Sequence, residues 1–293
     1  MRVKSILRSV MIAAATCGLA ATTVSAGMRY ESVTRTVGDK GKEVQEFKVT
    51  SWVDGERARI EFREAEGAAM AVPSDGYLIT TDGGQHMVMV NPKDKQYMEW
   101  NLDAMLQTLG ELQQATGGMV KIDFSDATAD YGGAAPGEEI LGYPTTKHTM
   151  TTGYTLEMKV MGMTQRMTVK AETESWVTTA LSAPGFGAWL RKTPPKTGDP
   201  DLDTLFQGLA GKVDGVVLRS VTHSTTTDKK GRERHSTTTT EVQSIDEVAT
   251  PDEMFEVPAG YEKVEMPSLA GASDDQGEGS GGMGDLFKKA FGG

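Results

Sequence analysis

The chain has 293 residues, with 30 Lys and Arg set against 41 Asp and Glu, for a formal net charge of −11. A surface of that sign repels nucleic acid and anionic headgroups, and the one cationic group, Lys229, Lys230, Arg232 and Arg234, reads as a hairpin tip, so a nucleic-acid partner is excluded. The single cysteine, Cys17, leaves no route to an internal disulfide or a thiolate metal site.

The first segment, MRVKSILRS, carries Arg2, Lys4 and Arg8 without an acid and runs into VMIAAATCGLAATTV before Val24-Ser25-Ala26. A basic start, a short apolar middle and small residues before a cut site are the three parts of a secretory signal. The apolar run of about fifteen residues is shorter than the roughly twenty of a membrane-spanning helix. Cleavage after Ala26 is predicted, which makes residues 1–26 a signal peptide and the mature protein periplasmic or secreted. The mature chain then has a net charge of −14, because three cations leave with the signal, and no thiol. The competing reading is lipid attachment at Cys17, against which Ala14-Ala15-Thr16 lacks the large aliphatic residue such signals place three positions earlier.

From Met28 to Trp100 short alternating segments are separated by turn residues. Glu46 to Trp52 leads into Asp54-Gly55, Arg57 to Phe62 follows, and Tyr77 to Thr81 meets Gln85 to Val90 across Asp82-Gly83-Gly84. Asn91-Pro92-Lys93-Asp94 then turns the chain into Gln96 to Trp100, so an antiparallel meander is predicted. Because Met87 and Met89 alternate with Val88 and Val90, that strand is apolar on both faces and needs cover on both.

Two helices are candidates for the cover. Asn101 can cap one that carries Met105, Leu106, Leu109 and Leu112 on one side and stops at Gly117-Gly118. Asp199 opens the other, with Pro200 at its first position, Asp201 and Asp203 in its first turn, and an apolar stripe of Leu202, Leu205, Phe206 and Leu209. Between and after the helices, further strands are predicted at Leu156 to Val160, Met167 to Val177, Val216 to Thr227 and His235 to Val242. The last two form a hairpin around Asp228-Lys229-Lys230-Gly231. Its THSTTT and STTTTEV runs are polar on both faces, so the expected place for it is a sheet edge or solvent. Beyond Pro267 the composition turns to Gly, Ser and acids, and residues 268–293 read as a flexible tail ending in Asp285 to Phe291, a short amphipathic segment that could dock on an envelope partner.

The segments TSWVDGERARIEF, GYLITTDGGQHMVMVNPKDKQYMEW and TEVQSIDEVATPDEMFEVPAGYEKV together resemble the periplasmic lipoprotein carriers of the LolA type. The resemblance ends on a Phe-x-x-Pro-x-Gly phrase, here Phe255, Pro258 and Gly260. A second resemblance, to an uncharacterised secreted domain family, rests on EEILGYPTTKHTM and ESWVTTAL. The carriers hold their lid with an arginine just after the Trp-bearing strand; here Asp54-Gly55 stands at that place, with Arg57 and Arg59 following. The resemblance implies a mainly β fold with a few α-helices: an incomplete antiparallel β-barrel, a LolA-like half-barrel, with helices on the concave face. Residues 27–267 would form this single domain.

The sequence has no Gly-x-Ser-x-Gly elbow, no His-Glu-x-x-His and no phosphate-binding Gly-Lys-Ser/Thr loop. His86, His148, His223 and His235 lie apart on strand segments without ligand spacing. Asp199, Asp201 and Asp203 imitate a calcium loop, yet Thr204 takes the glycine position and Ala210 that of the bidentate acid. Met158, Met161, Met163 and Met167 form one methionine group, and Met87, Met89 and Met98 another. Such groups suit core filling, a pocket that moulds to apolar ligands, or Cu(I). The expected function is therefore a non-enzymatic, cofactor-free binding protein for a hydrophobic small molecule or lipid. Its expected ligand-lining residues are Trp52, Ile60, Phe62, Met87, Met89, Leu106, Leu109 and Met158.

Overall fold

The computed structural model describes residues 26–41, 43–63, 76–101, 120–160, 163–181 and 199–264. Residues 1–25 of the expected signal peptide, the helix expected after Asn101 and the expected tail 268–293 lie outside these residues.

Among the described residues twelve strands form one sheet. The first meander is β1 (Ala26–Val37), β2 (Glu43–Asp54), β3 (Arg57–Arg63), β4 (Tyr77–Thr80), β5 (His86–Asn91) and β6 (Gln96–Asn101). The second is β7 (Val120–Pro136), β8 (Thr146–Val160), β9 (Met163–Thr178), β10 (Val216–Asp228) and β11 (Glu233–Ala249), with a two-residue β12 (Glu262–Lys263) at the end. Among the described residues there is one α-helix, α1 (Pro200–Leu209), which lies between β9 and β10 in the sequence. The spatial order is β12-β6-β5-β4-β3-β2-β1-β11-β10-β9-β8-β7, so the sheet is open, and the two meanders join where β1 pairs antiparallel with β11. Asn101 closes β6 as a strand residue.

The turns follow the residues that specify them. Gly83 and Gly84 both take positive φ (68° and 87°), while the Asp82 carboxylate accepts from the His86 amide at 3.0 Å and seals the β4–β5 turn. At the β10–β11 tip the Asp228 carboxylate accepts from the Lys230 and Arg232 amides at 2.8 and 3.0 Å, and Gly231 adopts φ 74°.

The threonine hairpin is not at an edge. β10 and β11 occupy the middle of the sheet, between β9 and β1. The polar side chains are tolerated there because they pair with one another across strands: Thr34 with Thr240 at 2.9 Å, Thr36 with Thr238 at 3.0 Å and Thr173 with Thr222 at 3.0 Å. A hydroxyl that finds a partner on the neighbouring strand escapes the cost of burial, and β-branching then favours the extended backbone. The sheet edges are instead β7, which is bulged between Ser125 and Thr128 and again between Tyr131 and Gly133, and the short β12.

The two-sided apolar strand β5 is covered on one side by residues 254–261. Val88 and Val90 pack with Tyr77, Ile79, Tyr97, Met254, Phe255, Val257 and Tyr261. Phe255 sits in a short helical turn, Asp252–Phe255, and is 3% exposed. The Arg57 guanidinium lies 4.7 Å over its ring and binds both Asp252 and Asp54 at 2.5 Å. The arginine that follows the Trp-bearing strand therefore clamps the Phe-x-x-Pro-x-Gly segment to the sheet. Arg59 stacks on Tyr77 at 3.6 Å and pairs with Glu61.

Candidate functional site

The helix α1 forms as its sequence dictates. Asp199, in extended conformation, accepts from the amides of Asp201 and Leu202 at 2.9 and 3.0 Å, Pro200 fills the first helical position, and two acids face the positive end of the helix dipole. Its apolar stripe then has one direction to bury. The helix settles against β7 so closely that a Cβ on Gly208 would stand 2.7 Å from Ala129 Cβ.

Between the stripe and the sheet lies a cavity of about 690 Å³. Leu202, Leu205, Phe206 and Leu209 line it from the helix, and Val213 and Val216 from the chain beyond. Phe124, Met150 and Tyr154 form one wall, with Phe124 and Tyr154 in tilted ring contact at 6.1 Å; Tyr30 and Val242 belong to another. The sheet contributes Ser32, Ser51, Thr152, Thr173, Ser175, Ser220, Thr222 and Thr240, of which Thr173, Thr222 and Thr240 are partners in the threonine pairs above.

Seven consecutive strands, β2-β1-β11-β10-β9-β8-β7, each supply at least one lining residue. Register shifts interrupt the β1–β11 pairing at Glu31/Ser32 and the β10–β9 pairing at Val217/Arg219, on strands that line the cavity.

Tyr30 is the exceptional lining residue. It is 6% exposed, and its hydroxyl has no hydrogen-bond partner among the described residues. Burial pushes its phenol up to about 12, since the phenolate would lose its hydration, and Tyr143 nearby acts in the same direction. Tyr154 is shifted upward by the same desolvation.

The expected lining residues fall in three places. Cross-strand register runs Tyr30, Ser51, Ile60, Leu78, Met89, and Ser32, Val49, Phe62, so Ile60, Phe62 and Met89 share the sheet face that carries the cavity, as does Met87 two positions from Met89. Met158, 9% exposed, continues the Tyr154 face of β8. None of these five lines the cavity itself, which is displaced toward β7–β11. Trp52 pairs with Arg29 and Arg59 on the opposite face, and Leu106 and Leu109 lie outside the described residues. The site residues missed from sequence are the helix stripe, Tyr30 and the Ser/Thr floor. The amphipathic spacing of α1 was the signal that pointed to the first.

His86 and His148 stand on separate strands, while His223 and His235 are diagonal neighbours on one face of the β10–β11 hairpin. His86 binds Asp82 at 2.5 Å, His148 meets the Tyr131 hydroxyl at 2.8 Å, and His223 and His235 each meet a threonine. Among the described residues no three His, Cys, Asp or Glu side chains gather as metal ligands. Of the first methionine group, Met158 and Met167 lie on one face of β8 and β9, while Met161 and the Met163 side chain are outside the described residues.

Residues 39–261 match the family model of a domain of unknown function, DUF4412. No curated protein matches the chain. Among solved structures, a protein from Bacteroides fragilis NCTC 9343 inferred to be exported, with a YmcC-like fold, aligns at 8% identity over 76% of this chain and 96% of its own, with a TM-score of 0.23.

Proposed function

Because the chain belongs to the DUF4412 family, whose description assigns no activity, function has to be read from the site, and we propose that the protein is a non-enzymatic binding protein that holds an apolar ligand, an acyl chain or lipid, between α1 and the sheet. The observation that carries this reading is the cavity of about 690 Å³ under the Leu202, Leu205, Phe206 and Leu209 stripe. Its size falls in the roughly 300–1,000 Å³ range of small-molecule sites, and its walls are mostly apolar. Each methylene transferred from water into it would contribute about 0.8 kcal/mol, so a chain of modest length binds without special polar chemistry. An open antiparallel sheet with a helix packed against one face supports a half-barrel carrier architecture of the LolA kind. The basic-apolar-small pattern of residues 1–26 supports action in the periplasm or outside the cell. Titration of the full mature chain with N-phenyl-1-naphthylamine tests the reading: saturable blue-shifted emission is expected, and its absence would sink the proposal.

A further inference from the structure

One end of the sheet departs from the acidity of the rest. Residues 157–170, around the β8–β9 connection, and 226–235, around the β10–β11 tip, carry seven cations against three acids, Glu157, Asp228 and Glu233. Asp39 adds a fourth acid, where it accepts from the His235 amide at 3.0 Å. The two segments meet, because the Lys229 ammonium donates to the Thr164 carbonyl at 3.1 Å. Outside this end every arginine among the described residues pairs with a carboxylate: Arg29, Arg35, Arg57, Arg59, Arg63 and Arg219. Within it Arg232 binds Asp228 at 2.5 Å, but Arg166 and Arg234 are exposed without an ion pair among the described residues, as are Lys159, Lys170 and Lys230. A chain with so many carboxylates has left these five cations together and unmatched.

We propose that this end is a docking surface for a bilayer containing anionic lipid, with Lys159, Arg166, Lys170, Lys230 and Arg234 as its contacts. The charge of −14 on the mature chain repels such a surface from afar. The screening length is about 8 Å at physiological ionic strength, so at contact the local charge decides, and clustered Lys and Arg are what an anionic headgroup layer attracts. Nucleic acid fits less well, since neither 157–170 nor 226–235 contains a Phe, Tyr or Trp to stack on bases. Docking here sets the cavity-lining Ala171, next to Lys170, and Thr222, on β10, a few residues from the headgroups. The proposal holds whether or not the cavity takes a ligand.

Flotation of the full mature chain with vesicles of phosphatidylcholine alone, or with about a third phosphatidylglycerol, at about 50 mM and about 500 mM salt tests it. At low salt the chain should bind the anionic vesicles at least about tenfold more tightly than the neutral ones, and high salt should remove the difference. Each cation at such a surface is worth roughly fivefold, so Arg166→Glu and Lys230→Glu should each weaken anionic-vesicle binding by at least about fivefold. Lys212→Glu, before the start of β10 and far from the tip, changes net charge equally and should weaken it by less than about twofold. Equal affinity for the two vesicle types, a difference that survives high salt, or equal losses in Lys212→Glu and Lys230→Glu overturns the proposal. So does tighter binding to duplex DNA than to anionic vesicles at equal phosphate concentration. Should either variant at the docking end not fold, the lipid and salt comparison on the parent protein decides. Loss of vesicle binding leaves the cavity reading standing, and a parent that binds anionic vesicles but no N-phenyl-1-naphthylamine overturns the cavity reading alone.

Discussion

Replacing Gly208 with alanine sets two opposed effects against each other. In an exposed helix the change would favour folding by about 1 kcal/mol, because glycine loses more backbone freedom. Here the added methyl would stand 2.7 Å from Ala129 Cβ and 3.3 Å from Ala129 O, and neither belongs to a side chain that can swing away. Carbon atoms rest at about 3.5–4.0 Å, so the helix must lift from β7 by about 1 Å. Overpacking of that kind costs about 1–3 kcal/mol, which outweighs the propensity gain and leaves a net destabilisation of about 1 kcal/mol. Lifting the helix also opens the cavity that its stripe closes. Urea denaturation followed by circular dichroism, with hydrogen exchange of residues 200–209, reads the effect. Gln207→Ala, at an exposed neighbouring position, should stay within about 0.5 kcal/mol of the parent. If Gly208→Ala stabilises by about 1 kcal/mol, as an exposed helix glycine would, α1 does not rest on β7 and the cavity is not built as described.

Asp199→Ala removes the acceptor of two amide hydrogen bonds and should cost about 0.5–2 kcal/mol, seen as faster exchange of the first helical turn and weaker fluorophore binding; unchanged exchange would contradict the capping account. Tyr30, with its phenol raised from about 10 to about 12, keeps its stability contribution below pH 10 and loses it as pH rises toward 12. Phenolate absorbance should show one tyrosine ionising late, absent in Tyr30→Phe; titration of Tyr30 near 10 would show that it is solvated. Asp228 is held down to about 2 by Arg232 and by the Lys230 and Arg232 amides, so its hold on the β10–β11 turn is present above pH 4 and lost as pH falls through about 2. A carboxyl carbon titration by NMR checks this, and an ordinary midpoint near 4 would refute it.

Legibility differed by type of feature. The Asp199-Pro200 start and the spacing of Leu202, Leu205, Phe206 and Leu209 specify α1 locally, and the Asp-Gly-Gly and Asp-Lys-Lys-Gly turns fix their hairpins in the same way. β7 was not read, because DATADYGGAAP is poor in strand formers and bulged twice, and its pairing with β8 supplies what propensity lacks. The central place of the threonine hairpin follows from β1 meeting β11, a pairing of residues 26–37 with 237–249 that no local pattern announces. For the same reason the cavity floor was missed. Ser32, Thr222 and Thr240 look solvent-facing one strand at a time, and only the assembled sheet places them together beneath α1. Ile60, Phe62, Met87, Met89 and Met158 share the sheet face that carries the cavity but lie away from the part of it under the helix, a separation that only the strand order reveals.

The central claim is that the space between α1 and the sheet holds an apolar ligand. Native mass spectrometry of the protein gently purified from cells, beside Ala171→Trp, which places an indole among the cavity residues, tests it most directly. The account predicts one lipid-sized adduct per parent chain and its loss from a folded Ala171→Trp. A parent protein that is repeatedly free of any adduct, or a variant that retains the same adduct in full, would contradict it.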